Sequence, residues 1–239
     1  MLKFSLGDVP VRVHFSFLLI AFIFPADRLV DRGAWVLVAF LAILLHEAGH
    51  AFSARHYGAE PVTITLFALG GVTVYPATKD LTAPRRLVIS AMGSIVGIVT
   101  GGIVLLMARA GVFDNASAVV EVAVTGFVWA SLGWGLLNWI PIRPLDGGAM
   151  LTSFLEIVWP SRALIAAKVV SVIFGVGAAY LLWQFDSPFG AVFVLFIMMM
   201  GLGGRDGAPD DEDEAAISPE VVDPEPRRVS DDPPPEFPI

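Results

Sequence analysis

The stretch LLHEAGH at residues 44–50 places His46, Glu47 and His50 inside a run that is otherwise apolar from residue 34 to residue 52. Two imidazoles and a carboxylate are unexpected in a helix that only faces lipid, because polar side chains are costly there. Positions four apart on an α-helix lie about 40° apart around the axis, so both histidines point the same way with Glu47 beside them. This HExxH spacing indicates that the histidines share one zinc ion and that the glutamate moves protons. A polar cluster that merely packs helices is disfavoured, because an unpaired carboxylate inside a membrane is costly.

The composition predicts an integral membrane protein. Of the 239 residues, 56% are hydrophobic and 16% are charged, whereas average proteins carry about 25% charged residues. Cysteine is absent, which excludes disulfides and thiolate ligands, so a zinc ion must be held by His, Asp or Glu. The sequence has no P-loop, dinucleotide fingerprint or basic-aromatic patch, so no nucleic-acid partner is expected.

The apolar segments predict an all-α polytopic membrane protein with about six transmembrane helices. An amphipathic lead, residues 1–12, precedes residues 14–24, which we interpret as a short retained span because no small-residue cleavage site follows. The later predicted spans cover residues 34–56, 87–107, 119–140, 163–183 and 189–202. Between the second and third spans, residues 62–66 and 72–75 are β-branched and alternating around Gly70-Gly71, which predicts a small β-hairpin.

The charge distribution predicts the orientation and a separate tail. Residues 205–239 hold twelve Asp and Glu, three Lys and Arg, and eight prolines, which predicts a disordered acidic cytoplasmic tail after a core of residues 1–204. We interpret this tail as a solubilising extension, with the docking of regulatory partners as the alternative. With Arg205 included and the distant Arg227 and Arg228 left out, ten Lys and Arg fall on the side of the N-terminus and three on the other side, which predicts a multi-pass cell-membrane protein with both termini cytoplasmic.

A histidine pair needs a further ligand, and Asp146 is the strongest candidate. Most other acids in the core lie at span ends, where a carboxylate reaches water. Asp146 instead follows a break made by Pro141 and Pro144 and precedes Gly147-Gly148, which allow close backbone approach. Irregular backbone at membrane depth is tolerated only where protein or a water-filled cavity satisfies it. The alternative is an aspartate that only stabilises the turn.

These two motifs together resemble the site-2 protease family of intramembrane metalloproteases. The family signature combines HExxH on one transmembrane helix with NxxPxxxxDG on a later one, and the second motif is present here as Asn138, Pro141, Asp146 and Gly147. The resemblance covers roughly residues 9–200. It implies one zinc ion held by His46, His50 and Asp146, Glu47 as the base that activates the bound water, and Asn138 near the reacting carbonyl.

The chain departs from the family pattern in the third span. Many members have Gly-Pro-x-x-Asn there, and the corresponding stretch is Gly93-Ser94-Ile95-Val96-Gly97. The loss of proline and asparagine leaves a polar role there in doubt but keeps close helix packing. The hydrophilic loops are too short for a PDZ or CBS domain, so the resemblance is to a minimal member.

The expected function is a zinc-dependent intramembrane endopeptidase. By resemblance, its substrates would be single-span membrane proteins in the bilayer, such as membrane-tethered regulators or anti-sigma factors. The alternative is a non-proteolytic zinc-containing scaffold or chaperone that binds transmembrane helices, although a scaffold has no need of Glu47. We also hypothesise that the hairpin edge at Val72 and Val74 pairs with an extended substrate. The alternative for the hairpin is a structural element that plugs the cavity.

Overall fold

The computed structural model describes residues 1–23, 28–68 and 70–203. In chain order its elements are β1 (Leu2–Leu6), β2 (Val9–Val13), α1 (Leu29–His56), β3 (Thr63–Phe67), β4 (Gly70–Val74), α2 (Ala83–Arg109), α3 (Ala118–Val128), α4 (Trp134–Leu137), α5 (Asp146–Val158), α6 (Ala163–Gln184) and α7 (Pro188–Gly203). Short 3₁₀ helices occupy Phe15–Phe22 and Pro160–Arg162. The predicted tail, residues 205–239, lies outside the described residues.

Four helices of the described chain are long and apolar enough to cross a membrane. They are Leu29–His56, Ala83–Arg109, Ala118–Leu137 and Pro160–Gln184, and α7 is a shorter apolar helix. At about 1.5 Å per residue, the 28 residues of α1 extend roughly 42 Å, which exceeds a hydrocarbon core of about 30 Å. The protein is therefore a mostly helical multi-pass membrane protein, as its composition predicts.

The segment predicted as the first span has a different structure. Residues Phe15–Phe22 form a 3₁₀ helix of eight residues, which at about 2.0 Å per residue is too short to cross the bilayer. The indole N–H of Trp35 on α1 donates to the carbonyl of Ile20 at 2.7 Å and holds this helix against α1. Six spans are therefore not confirmed. Apolar composition alone does not distinguish a spanning helix from a short 3₁₀ helix that packs on α1.

The predicted hairpin is part of a four-stranded sheet. The strands lie in the order β1-β2-β3-β4, with β2 parallel to β3 and the other two pairs antiparallel. The predicted hairpin is present as β3 and β4. The N-terminal lead is a second hairpin, turned by Gly7 at a φ of +61°. Two five-residue strands before an apolar segment resemble an amphipathic lead in the sequence, and the strand that joins them to the predicted hairpin, β3, lies some fifty residues after β2.

Glycine allows α1 and α2 to approach closely. A Cβ on Gly49 would lie 2.6 Å from the carbonyl oxygen of Met92, and a Cβ on Gly93 would lie 2.2 Å from Nε2 of His50. Both distances are shorter than real carbon contacts, so neither position accepts a larger side chain without movement. Gly93, one of the small residues that predicted close packing in the third span, thus faces the HExxH motif.

The helix predicted at residues 119–140 is interrupted before its end. α3 passes through a π-helical turn, Trp129–Gly133, into α4, and regular helix stops at Leu137. The N–H of Gly147 then donates to the carbonyl of Asn138 at 2.6 Å and closes the loop that leads into α5. α5 was not predicted from the sequence. Its 13 residues begin at Asp146, so the break directs this carboxylate toward α1 and α2.

Candidate metal centre

Three side chains that the sequence nominates as metal ligands converge in the structure. His46 and His50 are 7% and 8% exposed on α1, and their Nε2 atoms lie 3.2 Å apart. Asp146 Oδ2 lies 3.2 Å from Nε2 of His46, and Asp146 Oδ1 lies 3.3 Å from Nε2 of His50. One ligand atom from each residue lies within 4.8 Å of the others. Residues about a hundred positions apart in the chain therefore form one cluster.

The donor set and its spacing fit a zinc ion. Ligand atoms bound at about 2.0–2.1 Å in a tetrahedron are separated by roughly 3.3 Å. The nitrogen-to-nitrogen and nitrogen-to-oxygen distances of 3.2, 3.2 and 3.3 Å match that separation. Two imidazoles and one carboxylate, with the fourth position left to water, is a ligand set of catalytic zinc sites.

Local backbone structure brings Asp146 to the histidines. It is the first residue of α5 and follows Leu145 in an extended conformation. A Cβ on Gly147 would lie 2.4 Å from the carbonyl oxygen of Ile140, and a Cβ on Gly148 would lie 2.6 Å from the amide nitrogen of Arg143. Both glycines are thus required for the loop to fold tightly against the start of α5. The motif has a glycine directly after Asp146 because any larger side chain there would clash with the loop backbone.

Two hydrogen bonds orient the ligands from outside the cluster. Nδ1 of His50 donates to the carbonyl of Ile89 on α2 at 2.8 Å, which leaves Nε2 free to face the metal position. The hydroxyl of Ser94 donates to Oδ2 of Asp146 at 2.9 Å, and Ser94 is fully buried. Sequence reasoning missed this role of Ser94. The available signal was a lone hydroxyl in a stripe of small residues, one position after Gly93.

Replacing Ser94 with alanine is expected to weaken zinc binding about 10- to 100-fold, the usual effect of losing a partner of a metal ligand. The reason is that Asp146 then loses the donor that fixes one of its oxygens. Zinc affinity measured by competition with a chelator tests this expectation. Ser131→Ala is the matched control, since Ser131 is 2% exposed and its hydroxyl has no partner among the described residues. Equal zinc affinity in both variants would contradict a positioning role for Ser94.

Glu47 lies between the metal ligands and the sheet. It is 4% exposed, and the hydroxyl of Thr73 on β4 contacts its Oε2 at 2.8 Å and its backbone oxygen at 3.1 Å. A Cβ on Gly71 would lie 2.5 Å from Cγ of Glu47, so the strand packs directly on this side chain. The carboxylate is held beside the histidines by β4. Neither contact is visible in the sequence, because both depend on how the sheet packs on α1.

Asn138 also lies beside the cluster, and Val72 and Val74 lie on β4, the strand that contacts Glu47. The side-chain nitrogen of Asn138 is 3.3 Å from Nε2 of His46, and Asn138 is 7% exposed. Val72 and Val74 are 43% and 40% exposed on β4, which is an edge strand of the sheet. Their side chains alternate with that of Thr73, so β4 contacts Glu47 on one face and exposes valines on the other.

Comparisons with known proteins identify relatives that are named as zinc metalloproteases. The chain is 30% identical over 204 residues to Rip2 of Mycobacterium tuberculosis, which is named as a zinc metalloprotease, and the match covers 70% of this chain and 76% of Rip2. It is 26% identical over 158 residues to a zinc metalloprotease of Methanocaldococcus jannaschii, covering 64% of this chain and 44% of that relative. No protein-family model matches.

A solved structure shows the same fold. The site-2 protease from Methanocaldococcus jannaschii superposes with a TM-score of 0.57 at 19% identity, and the match covers 87% of this chain and 98% of that chain. At 19% identity this match shows only that the folds are alike. The evidence that the sequences are related comes from the match to Rip2. With two histidines and an aspartate at tetrahedral spacing, zinc is the metal that the cluster fits. The chain belongs to the site-2 protease family of membrane-embedded zinc metalloproteases.

Proposed function

We propose that this protein is an endopeptidase that cuts single-span membrane proteins within or next to their transmembrane helix. The observation that carries the proposal is the position of Glu47. Its buried carboxylate is on a helix long enough to span the membrane and lies beside the three converging candidate ligands. A carboxylate that holds no metal itself, yet adjoins the ligands, is the arrangement that hydrolysis requires. Following the family resemblance, membrane-tethered regulators such as anti-sigma factors are the proposed substrates.

Each residue has a defined part in this mechanism. When bound, zinc lowers the pKa of its water to about 7 and polarises the peptide carbonyl. His46, His50 and Asp146 are proposed to hold it. Glu47 takes a proton from the water as the water oxygen adds to the carbonyl carbon of the peptide bond. Glu47 then delivers that proton to the leaving amine as the C–N bond breaks. The side-chain amide of Asn138 is proposed to donate to the carbonyl oxygen.

The open edge of β4 is the proposed binding site for an extended substrate. A helical substrate shields its peptide bonds, so it must unwind before water reaches the carbonyl. Backbone groups on an edge strand offer hydrogen bonds to an added strand. β4 is an edge strand, and its Thr73 contacts Glu47. A strand added there would lie close to the carboxylate that activates water.

A proline at Val72 is expected to lower kcat/KM at least about 10-fold while zinc content stays near one ion per chain, because proline cannot complete a strand ladder. Val72→Ala is the matched control, since it shortens the same exposed side chain but keeps the backbone N–H. Peptide cleavage and zinc content are measured on both variants. Parallel loss of zinc and cleavage in the proline variant would contradict the pairing role.

The orientation is proposed from the distribution of Lys and Arg, with both termini on the cytoplasmic side. The acidic residues 205–239 would then extend into the cytoplasm as a solubilising segment, with regulatory partners as the alternative role. Because the chain has no cysteine, single cysteines introduced one at a time give an unambiguous test. A cysteine at Lys3 should react with an impermeant thiol reagent only from the cytoplasmic face, and one at Arg109 only from the opposite face. The reverse pattern would overturn this orientation.

Cleavage by the purified protein tests the proposed activity itself. Full-length protein in lipid vesicles is incubated with a panel of single-span substrates, then treated with a zinc chelator and reloaded with zinc. We expect cleavage that is lost on chelation and restored by zinc. Binding of the substrates without cleavage would favour the scaffold alternative.

A further inference from the structure

An apolar cavity of about 410 Å³ is lined by residues of α1 and β4, the two elements that hold Glu47 in place. Its lining includes Ala39 and Ile43 of α1, Gly70 of β4, Ala130 and Trp134 from the interrupted third long helix, and Phe193 of α7. The exposed surface of the lining is almost entirely apolar. A cavity of this size falls within the range of about 300–1,000 Å³ that is typical of ligand sites. It is therefore large enough for at least one bulky side chain.

Two connections place this cavity beside Glu47. Ile43 precedes Glu47 by four residues on α1, so the two side chains lie one above the other on the same face of the helix. Gly70 lines the cavity, and its neighbour Gly71 packs on the side chain of Glu47. Ile43 and Glu47 are therefore separated by about one helical turn, roughly 5 Å along the helix axis. Both connections involve elements that already form the site.

The direction of β4 sets which substrate residue reaches the cavity. Gly70 starts the strand at the cavity, and Thr73, three residues later, contacts Glu47. Strands rise about 3.3 Å per residue, so Gly70 and Thr73 are separated by roughly 10 Å along the strand. An extended peptide aligned with β4, with its cleaved bond near Glu47, would bring a residue within three positions of that bond to the cavity.

We propose that this cavity is a specificity subsite that receives a large apolar side chain, from Leu, Met, Phe or Trp, within three residues of the cleaved bond. The proposal rests on the proposed endopeptidase function and adds its side-chain preference. The apolar lining favours such a side chain over a charged one, because a charge buried there would have no partner. Its lining by Ile43, one turn before Glu47, and by Gly70, next to the glycine that packs on Glu47, favours the substrate over a lipid chain as the occupant.

A peptide series measures the preference without altering the enzyme. Substrates carry Ala, Leu, Phe or Asp singly at each of three positions on either side of the cleaved bond. We expect one position at which Leu or Phe exceeds Ala in kcat/KM about 10-fold or more, since one methylene in an apolar enzyme pocket is worth roughly 10- to 200-fold. At that position Asp should not be cleaved measurably. Equal rates for all residues at every position would overturn the proposal and leave lipid as the occupant.

Filling the cavity should reverse the preference. Ala130→Leu, or Ala39→Leu as a second variant, places a larger side chain in the cavity and should favour Ala over Phe at the sensitive position. Ala178→Leu is the matched control, because Ala178 on α6 lines a separate open groove. Zinc content confirms that each variant retains its site. Cleavage by wild type with no size preference refutes only the subsite, whereas absence of zinc-dependent cleavage in wild type refutes the proposed function.

Discussion

Glu47→Gln is expected to keep one zinc ion per chain and to lower kcat about 10²- to 10⁴-fold, the usual contribution of a general base. The reason is geometric. Glu47 is not one of the three converging ligands, so its replacement leaves the metal site intact. Glutamine has the same shape, and its amide oxygen still accepts from Thr73, but it cannot take a proton from water.

Cleavage rate and zinc content must be measured on the same preparation. Glu121→Gln is the matched control. It makes the same chemical change at a glutamate that is exposed on α3, away from the site. Cleavage at the wild-type rate by Glu47→Gln would refute the assignment of this residue as the base. Loss of zinc together with activity would instead make Glu47 a ligand.

Asp146→Ala is expected to reduce zinc affinity by more than about 100-fold, which exceeds the 10- to 100-fold typical of losing a partner of a ligand. Two imidazoles on one helical turn then remain, and they do not complete a tetrahedral site. Zinc affinity is measured by chelator competition, with thermal unfolding in detergent as a check on the fold. Asp114→Ala, at an exposed aspartate, is the control. Wild-type zinc affinity in Asp146→Ala would show that another group closes the site.

The convergence of His46, His50 and Asp146 could be predicted from the sequence, because each lies in a recognisable local pattern. His46 and His50 share a helix face by spacing alone, and Asp146 lies where two prolines and two glycines break a membrane helix. The structure places these three side chains together, as expected. Asn138 also lies beside His46, although its contact with substrate stays a proposal.

The hydrogen bonds that hold Asp146 and Glu47 in place could not be predicted from a local sequence pattern. Ser94 reaches Asp146 across 52 positions of sequence, and Thr73 reaches Glu47 across 26. Each depends on how separate elements pack, which no local pattern encodes. The doubt raised by the missing proline and asparagine in the third span has a specific answer, since Ser94 supplies a polar contact there.

The helices and strands also differ in how well local sequence predicts them. Long apolar helices are predicted nearly to their ends, because burial in lipid demands continuous hydrophobic residues. The N-terminal strands were missed, since β2 pairs with β3 only after the chain has passed through α1. The first predicted span is not confirmed, since its described residues form the short 3₁₀ helix Phe15–Phe22, and their apolar composition alone does not distinguish such a helix from a span.

The most direct test of the central claim is the zinc X-ray absorption spectrum of the purified full-length protein. We predict one zinc ion per chain with four nitrogen or oxygen neighbours at about 2.0–2.1 Å, two of them imidazoles. Those neighbours correspond to His46, His50, Asp146 and one water. Absence of stoichiometric zinc, more than two imidazole neighbours, or six-fold coordination would contradict the account.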